Sequence, residues 1–332
     1  MANKRALLTG NGINQLDSTQ AIAWGMLLTN LKNTYDIDAD LDNPFKPFPL
    51  GFEEMLFRKR GTNEALDKLK RLKRSIREDI ERQLLGKLGY NDFHKKIMEV
   101  GYNDILTTNY DYCLQKSIKP DFETTKSSFA INRQESKYSL KRGYKIDNCT
   151  IWHIHGELID SRKLTTHSKY YKEESIMIGY EHYTSYLEKI QEIIKGKRKG
   201  KETINGLQSR IKNNDTATYW TDKLFTHDVD IIGQGLDFSE NHLWWLINYR
   251  AAIKNETEYI TNKIRFYYPL VANRNSIDST EIDALDTILA KRNANYKSKA
   301  VAEVLEAFDV KTIGITCLSY IDFYNQLIEN YL

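Results

Sequence analysis

The chain has 332 residues, which is enough for one large α/β domain or two smaller ones. Its hydrophobic fraction of 41% is ordinary for a globular protein, and its formal charge of +3 is too small to indicate a nucleic-acid-binding protein. The three cysteines, Cys113, Cys149 and Cys317, lack CxxC spacing and predict neither a zinc site nor a disulfide framework.

The first predicted strand, Arg5 to Thr9, runs into Gly10-Asn11-Gly12 and then into an apolar helical pattern. A strand, a glycine turn and a helix in this order are typical of a first βα unit that presents backbone amides to phosphate. Gln15 stands where the dinucleotide motif G-x-G-x-x-G has its third glycine, so a plain βα turn is the alternative.

A helical insertion is predicted near residues 41–100. Leucines and isoleucines three or four residues apart between Leu66 and Leu84 predict an amphipathic helix, and a shorter helix is predicted from Asp92 to Val100. The polar face of the longer helix mixes basic with acidic side chains, which favours a solvated surface or a partner contact over a nucleic-acid face.

The stretch from Asp104 begins as an apolar strand and ends in Thr107-Thr108-Asn109-Tyr110-Asp111. Polar residues directly after a buried parallel strand lie at the sheet edge where open α/β proteins bind ligands. Asn109 offers both a hydrogen-bond donor and an acceptor at this place. The alternatives are a turn residue for Asn109 and a helix N-cap for Asp111.

The remaining elements alternate between strands and helices. The predictions are a strand from Thr150 to His155-Gly156, a short extra strand from Ser175 to Gly179, a helix from Tyr183 to Ile194, a flexible exposed loop from Lys195 to Lys201, and strands from Asp228 to Ile232, Lys263 to Tyr268 and Lys311 to Thr316. Ser239, which follows Gly233-Gln234-Gly235, and Ser319 are predicted helix N-caps, and Asp237 is assigned to capping. The alternation predicts one doubly wound, mainly parallel Rossmann-like sheet over residues 1–332, with a second helical insertion near residues 160–226.

Four predicted strand ends carry small or polar residues, which predicts a dinucleotide across the carboxyl edge of the sheet. Sirtuins carry, in chain order, a G-A-G turn, a T-Q-N-I-D stretch, an H-G pair and a G-T-S turn. This chain has Gly10-Asn11-Gly12, Thr107 to Asp111, His155-Gly156 and Gly233-Gln234-Gly235 in the same order, and so resembles the sirtuin-like (SIR2) superfamily. The T-x-N-x-D stretch and the H-G pair are the specific part of the resemblance.

Two departures separate the chain from the protein deacylases of that superfamily. Those enzymes hold a zinc module with paired CxxC motifs, but no cysteine occurs here between Leu158 and Thr226. The I-P-D-F-R stretch of deacylases is also missing after the first turn. The chain is more similar to bacterial anti-phage SIR2 domains that hydrolyse NAD+, some of which stand alone and assemble with a separate HerA-type ATPase.

The resemblance implies roles for individual residues. Asn109 would hold the ribose or the attacking water, Asp111 would accept from the nicotinamide carboxamide, and His155 would act as the general base. The predicted NAD+-binding residues are Gly10, Asn11, Gly12, Thr107, Asp111, Gly233 and Gly235. No zinc or other metal is predicted, and His182, His227 and His242 receive no role because they show no metal-ligand spacing with each other.

The two histidines of the stretch His153-Ile154-His155-Gly156 are expected to have different roles because they lie at different places along the strand. Two residues apart on a strand, both are expected to point to the same face. His155 lies at the carboxyl end, where ligands bind. His153 is expected to be buried, neutral and held by a backbone or side-chain partner.

The predicted function is hydrolysis of NAD+ to nicotinamide and ADP-ribose by an anti-phage effector that depletes cellular NAD+. The alternatives are a protein deacylase or ADP-ribosyltransferase, and a nucleotide-binding scaffold with little turnover. NAD+ is the expected substrate, with no other cofactor, and a homo-oligomer and a HerA-type ATPase are the expected protein partners. Because no segment resembles a signal peptide or a membrane span, a cytoplasmic location without membrane contact is expected.

Overall fold

A computed structural model describes residues 4–16, 24–41, 46–60, 71–76, 78–80, 89–122, 138–158, 176–199, 202–271 and 295–332. Its strands are β1 (Arg5–Thr9), β2 (Asp104–Thr107), β3 (Gly143–Ile146), β4 (Cys149–His153), β5 (Lys197–Lys199), β6 (Glu202–Ile204), β7 (Asp228–Ile232), β8 (Ile264–Val271) and β9 (Val310–Cys317). Seven of these strands form one sheet in the order β3-β4-β2-β1-β7-β8-β9, while β5 and β6 form a separate hairpin. Every neighbouring pair of the large sheet is parallel except β3 with β4.

The direction of chain progression across the sheet reverses between β1 and β7. From β1 the chain builds β2 and β4 on one side, with β3 antiparallel at the edge, and then builds β7, β8 and β9 on the other side. This confirms the predicted fold class, a mainly parallel Rossmann-like α/β sheet. The reversal leaves a crevice at the carboxyl ends of β1 and β7, which is where such sheets bind ligands.

Helices cover both faces of the sheet. They are α1 (Trp24–Thr34), α2 (Phe48–Arg60), α3 (Asp92–Glu99), α4 (Cys113–Ile118), α5 (Tyr180–Lys195), α6 (Leu207–Lys212), α7 (Lys223–Thr226), α8 (Asn241–Lys254) and α9 (Tyr320–Asn330), with further helical residues at 71–76, 78–80 and 295–307. Leu7 packs in a cluster with α3 and α9, and its neighbour Leu8 packs in another with α5 and α8, because successive strand residues face opposite sides. In the described ranges, no helix is both long enough and apolar enough to cross a membrane.

The predicted insertions contain several of these helices. Residues 41–100 include α2, α3 and part of the predicted amphipathic helix, of which 71–76 and 78–80 are described and helical. The remainder of that helix, residues 66–70, 77 and 81–84, lies outside the described residues. Residues 160–226 include α5, α6, α7 and the β5–β6 hairpin. A third apolar cluster joins α1 and α2 to Ile76 and Ile80.

Several local predictions about the strands were wrong. The strand predicted to reach Gly156 ends at His153. Of the strand predicted from Ser175 to Gly179, residues 176–179 are described, and they contribute an isolated bridge between Ile176 and Gly156. The antiparallel strand β3 was not predicted at all. It pairs with β4 through a tight turn in which Asp147 has a φ of 51°, a conformation that Asp tolerates better than most residues.

The prediction of a loop from Lys195 to Lys201 was also wrong, because this segment contains β5, which pairs with β6. Gly196, with a φ of 81°, lets two backbone segments approach closely. A Cβ at Gly196 would lie 2.7 Å from the backbone N of Gly206.

The two predicted N-caps had different outcomes. Ser319 caps α9, since its side chain accepts from Asp322 N at 3.1 Å, so this prediction is confirmed. Ser239 does not cap α8, which begins after Glu240 without a side-chain cap. The assignment of Asp237 as a cap was also wrong: its Oδ1 accepts from Ser239 N at 3.0 Å and stabilises the turn before the helix.

A buried network around His94 fixes the segment that follows β1. His94 Nδ1 lies 3.1 Å from the backbone N of Asn91 and 2.8 Å from Asn91 Oδ1, and Nε2 donates to Asn14 Oδ1 at 2.9 Å because the Asn14 amide nitrogen faces Asp111. Asn14 in turn donates to Asp111 Oδ2 at 2.9 Å. This arrangement needs a neutral ring, and burial lowers the pKa of His94 to about 4 even though the Asp111 charge raises it.

We predict that this network weakens in acid. A His whose folded-state pKa lies below its unfolded value takes up its proton preferentially in the unfolded chain. Its contribution is therefore intact above about pH 6.5 and is lost as the pH falls toward 4. Protonation of His94 alone should lower the free energy of unfolding by about 3 kcal/mol between pH 6.5 and pH 4, because each pKa unit corresponds to about 1.4 kcal/mol. Urea unfolding of the wild type and His94→Gln at several pH values measures this, and parallel stability–pH curves for the two proteins would contradict it.

Candidate functional site

A cavity of about 630 Å³ opens at the carboxyl edge of the sheet, over the crevice between β1 and β7. Its volume lies within the usual range for small-molecule sites. Both glycine turns line it, through Gly12 on one side and Gly233-Gln234-Gly235 on the other. Other lining side chains come from neighbouring strand ends and helices, among them Thr108, His155, Tyr183, Glu240, Tyr268 and Tyr324.

The two glycine turns pack directly against each other. Gly12 N donates to the carbonyl O of Gly233 at 2.9 Å, and a Cβ at Gly12 would lie 2.7 Å from that oxygen. Gly233 has a φ of 65°, and a Cβ there would lie 2.6 Å from Tyr324 Oη. The side chain of Gln234 covers Gly10, with its Oε1 only 1.9 Å from the place of an added Cβ. These three glycines are therefore required by the packing of the crevice itself.

Gly235 differs from the other three glycines. It lines the cavity, and a Cβ added there would meet no atom within 4 Å. The packing of the protein therefore leaves space for a side chain at Gly235, and that space opens into the cavity.

Asn109 lies between two cavity-lining residues, Thr108 and Tyr110, but it is buried and does not itself line the cavity. Its Nδ2 donates to the carbonyl O of Gly10 at 3.1 Å, and its backbone N donates to Thr107 Oγ1 at 3.1 Å. Its Oδ1 is buried without a hydrogen-bond partner in the described part of the chain. An unpaired buried acceptor costs about 1–3 kcal/mol, so this oxygen is the atom of Asn109 best suited to a ligand hydroxyl or a water.

Asp111 lies in the hydrogen-bond network below the cavity and not among the lining residues. Its Oδ2 accepts from Asn14, and its Oδ1 accepts from Cys113 N at 2.9 Å at the start of α4, in the manner of a helix cap. Asn14 Nδ2 also donates to the Oδ1 of Asn11 at 3.0 Å, and Asn11 does line the cavity. The side chain of Asn14 thus connects Asn11 to Asp111 by hydrogen bonds. The hydroxyl of Thr107 accepts from the backbone N of Asn109.

His155 contacts Glu240, which also lines the cavity, and the fully buried His242. Its Nε2 lies 2.9 Å from His242 Nε2 and 3.2 Å from Glu240 Oε2, and the last two atoms are 3.9 Å apart. Burial, together with the neighbouring His155, holds the pKa of His242 well below its usual range, so the His242 ring is neutral. Glu240 Oε2 and His242 Nδ1 make no well-aligned hydrogen bond with any described residue.

His153 and His155 lie in different environments on different sides of the chain. His153 is buried, its Nδ1 donates to the carbonyl O of Asn109 at 3.1 Å, and its Nε2 accepts from Gln115 Nε2 at 2.7 Å. This confirms a buried, neutral His153, and burial lowers its pKa. The prediction that both histidines point to the same face was wrong. Because β4 ends at His153, the chain turns and His155 packs instead against His242 and Tyr183.

Sequence reasoning missed Gln234, Glu240 and His242 as site residues. Gln234 Oε1 accepts from Thr108 Oγ1 at 3.1 Å and joins two strand ends. Glu240 and His242 show no motif spacing with His155, since His155 and His242 are 87 residues apart. The one available signal was their place directly after the second glycine turn, at the start of a helix that follows a predicted strand.

Comparison with known protein families bears on these residues. A family model described as a SIR2-like domain matches residues 103–217. This match supports the resemblance of this part of the chain to the SIR2-like superfamily. The SIR2-like region includes Asn109, Asp111 and His155, but neither glycine turn and neither Glu240 nor His242. A search of curated proteins finds no match to the chain.

The glycines provide a matched pair of substitutions. We predict that Gly12→Ala costs about 1–3 kcal/mol of stability, because its Cβ meets the backbone of Gly233. Gly235→Ala should change stability by less than about 0.5 kcal/mol but should weaken ligand binding in the cavity. Denaturant unfolding and NAD+ binding by calorimetry measure the two effects. Equal losses of stability in both variants would show that the crevice does not depend on the contact between the turns.

Proposed function

We propose that this chain hydrolyses NAD+ at the nicotinamide–ribose bond. The observation that carries the proposal is the position of His155, which lines the same cavity as the two glycine turns of the β1–β7 crevice. The match to a SIR2-like domain supports an NAD-related activity, and the resemblance to anti-phage SIR2 domains supports hydrolysis as the reaction.

The chemistry of the cavity walls suits a dinucleotide. Tyr268 supplies an aromatic ring for a nicotinamide or adenine ring, and the buried Tyr324 brings its hydroxyl to the two glycine turns. At the crevice, Gly12 and Gly235 present backbone without side chains, which lets phosphate or ribose approach closely.

The reaction breaks the bond between ribose C1′ and the nicotinamide nitrogen. The leaving ring takes the bonding electron pair and departs neutral, and the ribose passes through an oxocarbenium-like state. A water oxygen bonds to C1′ while His155 accepts the water proton, so the products are nicotinamide, ADP-ribose and one proton. Asn109 Oδ1 is buried beside the lining residues Thr108 and Tyr110, so it accepts a hydrogen bond from the ribose or from the water where one of these reaches past the cavity wall. Asp111 does not line the cavity and both of its oxygens accept from protein groups, so its proposed contact with the carboxamide requires the Asn14 network to rearrange.

Two alternatives differ from hydrolysis in their products. A deacylase of the zinc-module type is disfavoured because no cysteine lies between Leu158 and Thr226. An ADP-ribosyltransferase would leave ADP-ribose joined to an acceptor, and a scaffold would bind NAD+ without consuming it. Equal amounts of free nicotinamide and free ADP-ribose would support hydrolysis over a deacylase, an ADP-ribosyltransferase and a scaffold.

We predict that His155→Ala folds normally and lowers NAD+ turnover by about 10²-fold or more, the usual scale for removal of a general base. His153→Ala is the matched comparison two residues away. It should lower the melting temperature, because it leaves the amide of Gln115 and the carbonyl of Asn109 without their buried partner. Its turnover per folded molecule should fall far less.

The measurement is NAD+ consumption per folded molecule, with the folded fraction taken from thermal unfolding at the same temperature. Near-wild-type turnover in His155→Ala would contradict the assignment of His155 as the base.

We further propose that the protein is a cytoplasmic anti-phage effector whose activity is limited by assembly. An unrestrained NAD+ hydrolase would deplete its own cell. Leu50 and Phe57 lie seven residues apart on one face of α2 and are 45% and 55% exposed, and Met26 of α1 is 55% exposed. Exposed apolar side chains of this kind fit a contact with a second copy of the chain or with a HerA-type ATPase.

This proposal predicts that the rate per chain depends on the assembly state. Analytical ultracentrifugation across a dilution series, with NAD+ consumption measured on the same samples, should show different specific activities for monomer and assembly. Phe57→Glu should shift the assembly equilibrium toward monomer. A dilute monomer that hydrolyses NAD+ at the full rate with nothing added would contradict control by assembly.

A further inference from the structure

We infer that His155, Glu240 and His242 form a binding site for a divalent transition-metal ion such as Zn²⁺, and that an ion bound there blocks NAD+ hydrolysis. The binding part stands on the geometry of the three side chains alone. The blocking part rests on the proposed function, because it requires His155 to accept the water proton.

The three ligand atoms are spaced as one ion requires. Nε2 of His155, Oε2 of Glu240 and Nε2 of His242 are separated by 2.9, 3.2 and 3.9 Å. A circle through three points at these separations has a radius of about 2.0 Å, and zinc bonds to imidazole nitrogen or carboxylate oxygen measure about 2.0–2.2 Å. An ion bonded to all three atoms would lie close to their plane, with Glu240 Oε2 and His242 Nε2 on nearly opposite sides of it, so tetrahedral binding requires these two side chains to move closer together.

A hydrogen bond between the two imidazoles explains only part of this arrangement. The ring centroids are 4.8 Å apart and the rings are tilted by 60°, so they do not meet head to head. Glu240 Oε2 makes no aligned hydrogen bond, and within the described ranges the ion-pair partners of Glu240 are His155 and His242 alone. A dication between the three atoms supplies the opposite charge that the carboxylate otherwise lacks.

The ligand set selects the class of ion. Imidazole nitrogen suits Zn²⁺ and other first-row transition ions, whereas Mg²⁺ and Ca²⁺ are held mainly by oxygen. Two histidines and one glutamate are also the protein ligands of well-known catalytic zinc sites, in which a further position is left for water.

The surrounding residues hold the three side chains in place. The carbonyl O of His155 accepts from Met177 N at 2.9 Å, which fixes the turn after β4. The rings of Tyr183 and Tyr186 pack against the His242 ring at 5.6 and 5.3 Å. A site that is already ordered without the ion has little ordering cost left when the ion binds.

Metal binding and proton acceptance exclude each other at His155. Its Nε2 has one lone pair, which either bonds to the ion or takes the proton of the attacking water. An ion at this position also lies in the cavity wall, beside the place proposed for the ribose. A bound ion should therefore inhibit the reaction without unfolding the protein.

The first arm of the test measures binding directly on the full chain after treatment with a chelator. Zn²⁺ is titrated by calorimetry and, independently, in competition with a chromophoric chelator. We expect one ion per chain, with at least about tenfold weaker binding in Glu240→Gln and in His242→Gln. His182→Gln, at the start of α5 and outside the cluster, should bind as the wild type does. No one-to-one binding, or binding that neither cluster variant weakens, overturns the site.

The second arm measures NAD+ hydrolysis. We expect the chelator to leave the rate unchanged or to raise it, and Zn²⁺ to lower it at concentrations near the measured dissociation constant. In Glu240→Gln the half-inhibiting concentration should rise at least about tenfold. A rate that disappears with the chelator and returns with Zn²⁺ overturns the blocking role and the metal-free reaction while leaving the site. Metal-free protein that binds Zn²⁺ but never consumes NAD+ overturns the proposed function and not the site.

Discussion

The backbone contact between the two glycine turns is the constraint on which the site depends. Gly12 N donates to the carbonyl O of Gly233, and neither residue has space for a Cβ. The segments that follow these turns pack on opposite faces of the sheet, with Ile13 in the cluster of α3 and α9 and Leu243 in that of α5 and α8. The sheet therefore opens at this place, and the contact between the turns closes the bottom of the opening.

Side chains extend this contact to the other strand ends. Asn109 Nδ2 donates to the carbonyl O of Gly10 and joins β2 to β1. Gln234 accepts from Thr108 and lies 3.5 Å from Glu240 Oε1, so it joins β2 to the start of α8. As a result, the atoms proposed to act on a ligand are positioned relative to the same pair of turns, although they come from distant parts of the chain. A site built on strand ends in this way is held more rigidly than one built on a long loop.

The sequence predicted the parts of this arrangement that follow from local patterns. Buried parallel strands such as Asp104–Thr107 and Asp228–Ile232 are apolar runs that stop at polar or glycine residues, and both were found where expected. The short strand β3 was missed because four residues around Lys145 carry too weak a pattern. Strand periodicity also failed at His155, because it holds only while the strand continues, and β4 ends two residues earlier. The contact of His155 with Glu240 and His242 depends on that turn and on the docking of α8, neither of which is encoded by spacing.

The cluster around His155 connects the two kinds of chemistry proposed for the cavity. The Glu240 carboxylate attracts positive charge, whether a proton or a metal ion, whereas burial and the neighbouring His155 lower the pKa of His242 and so disfavour a proton on that ring. A proton and a metal ion differ in the number of atoms that they contact. A proton is shared between two atoms, whereas a metal ion needs all three ligand atoms at about 2 Å. The three separations place all three atoms about 2 Å from one point in their plane. The two proposed roles of His155, proton acceptor and metal ligand, therefore use the same Nε2 atom, and the other two proposed ligands are Glu240 in the cavity wall and the fully buried His242.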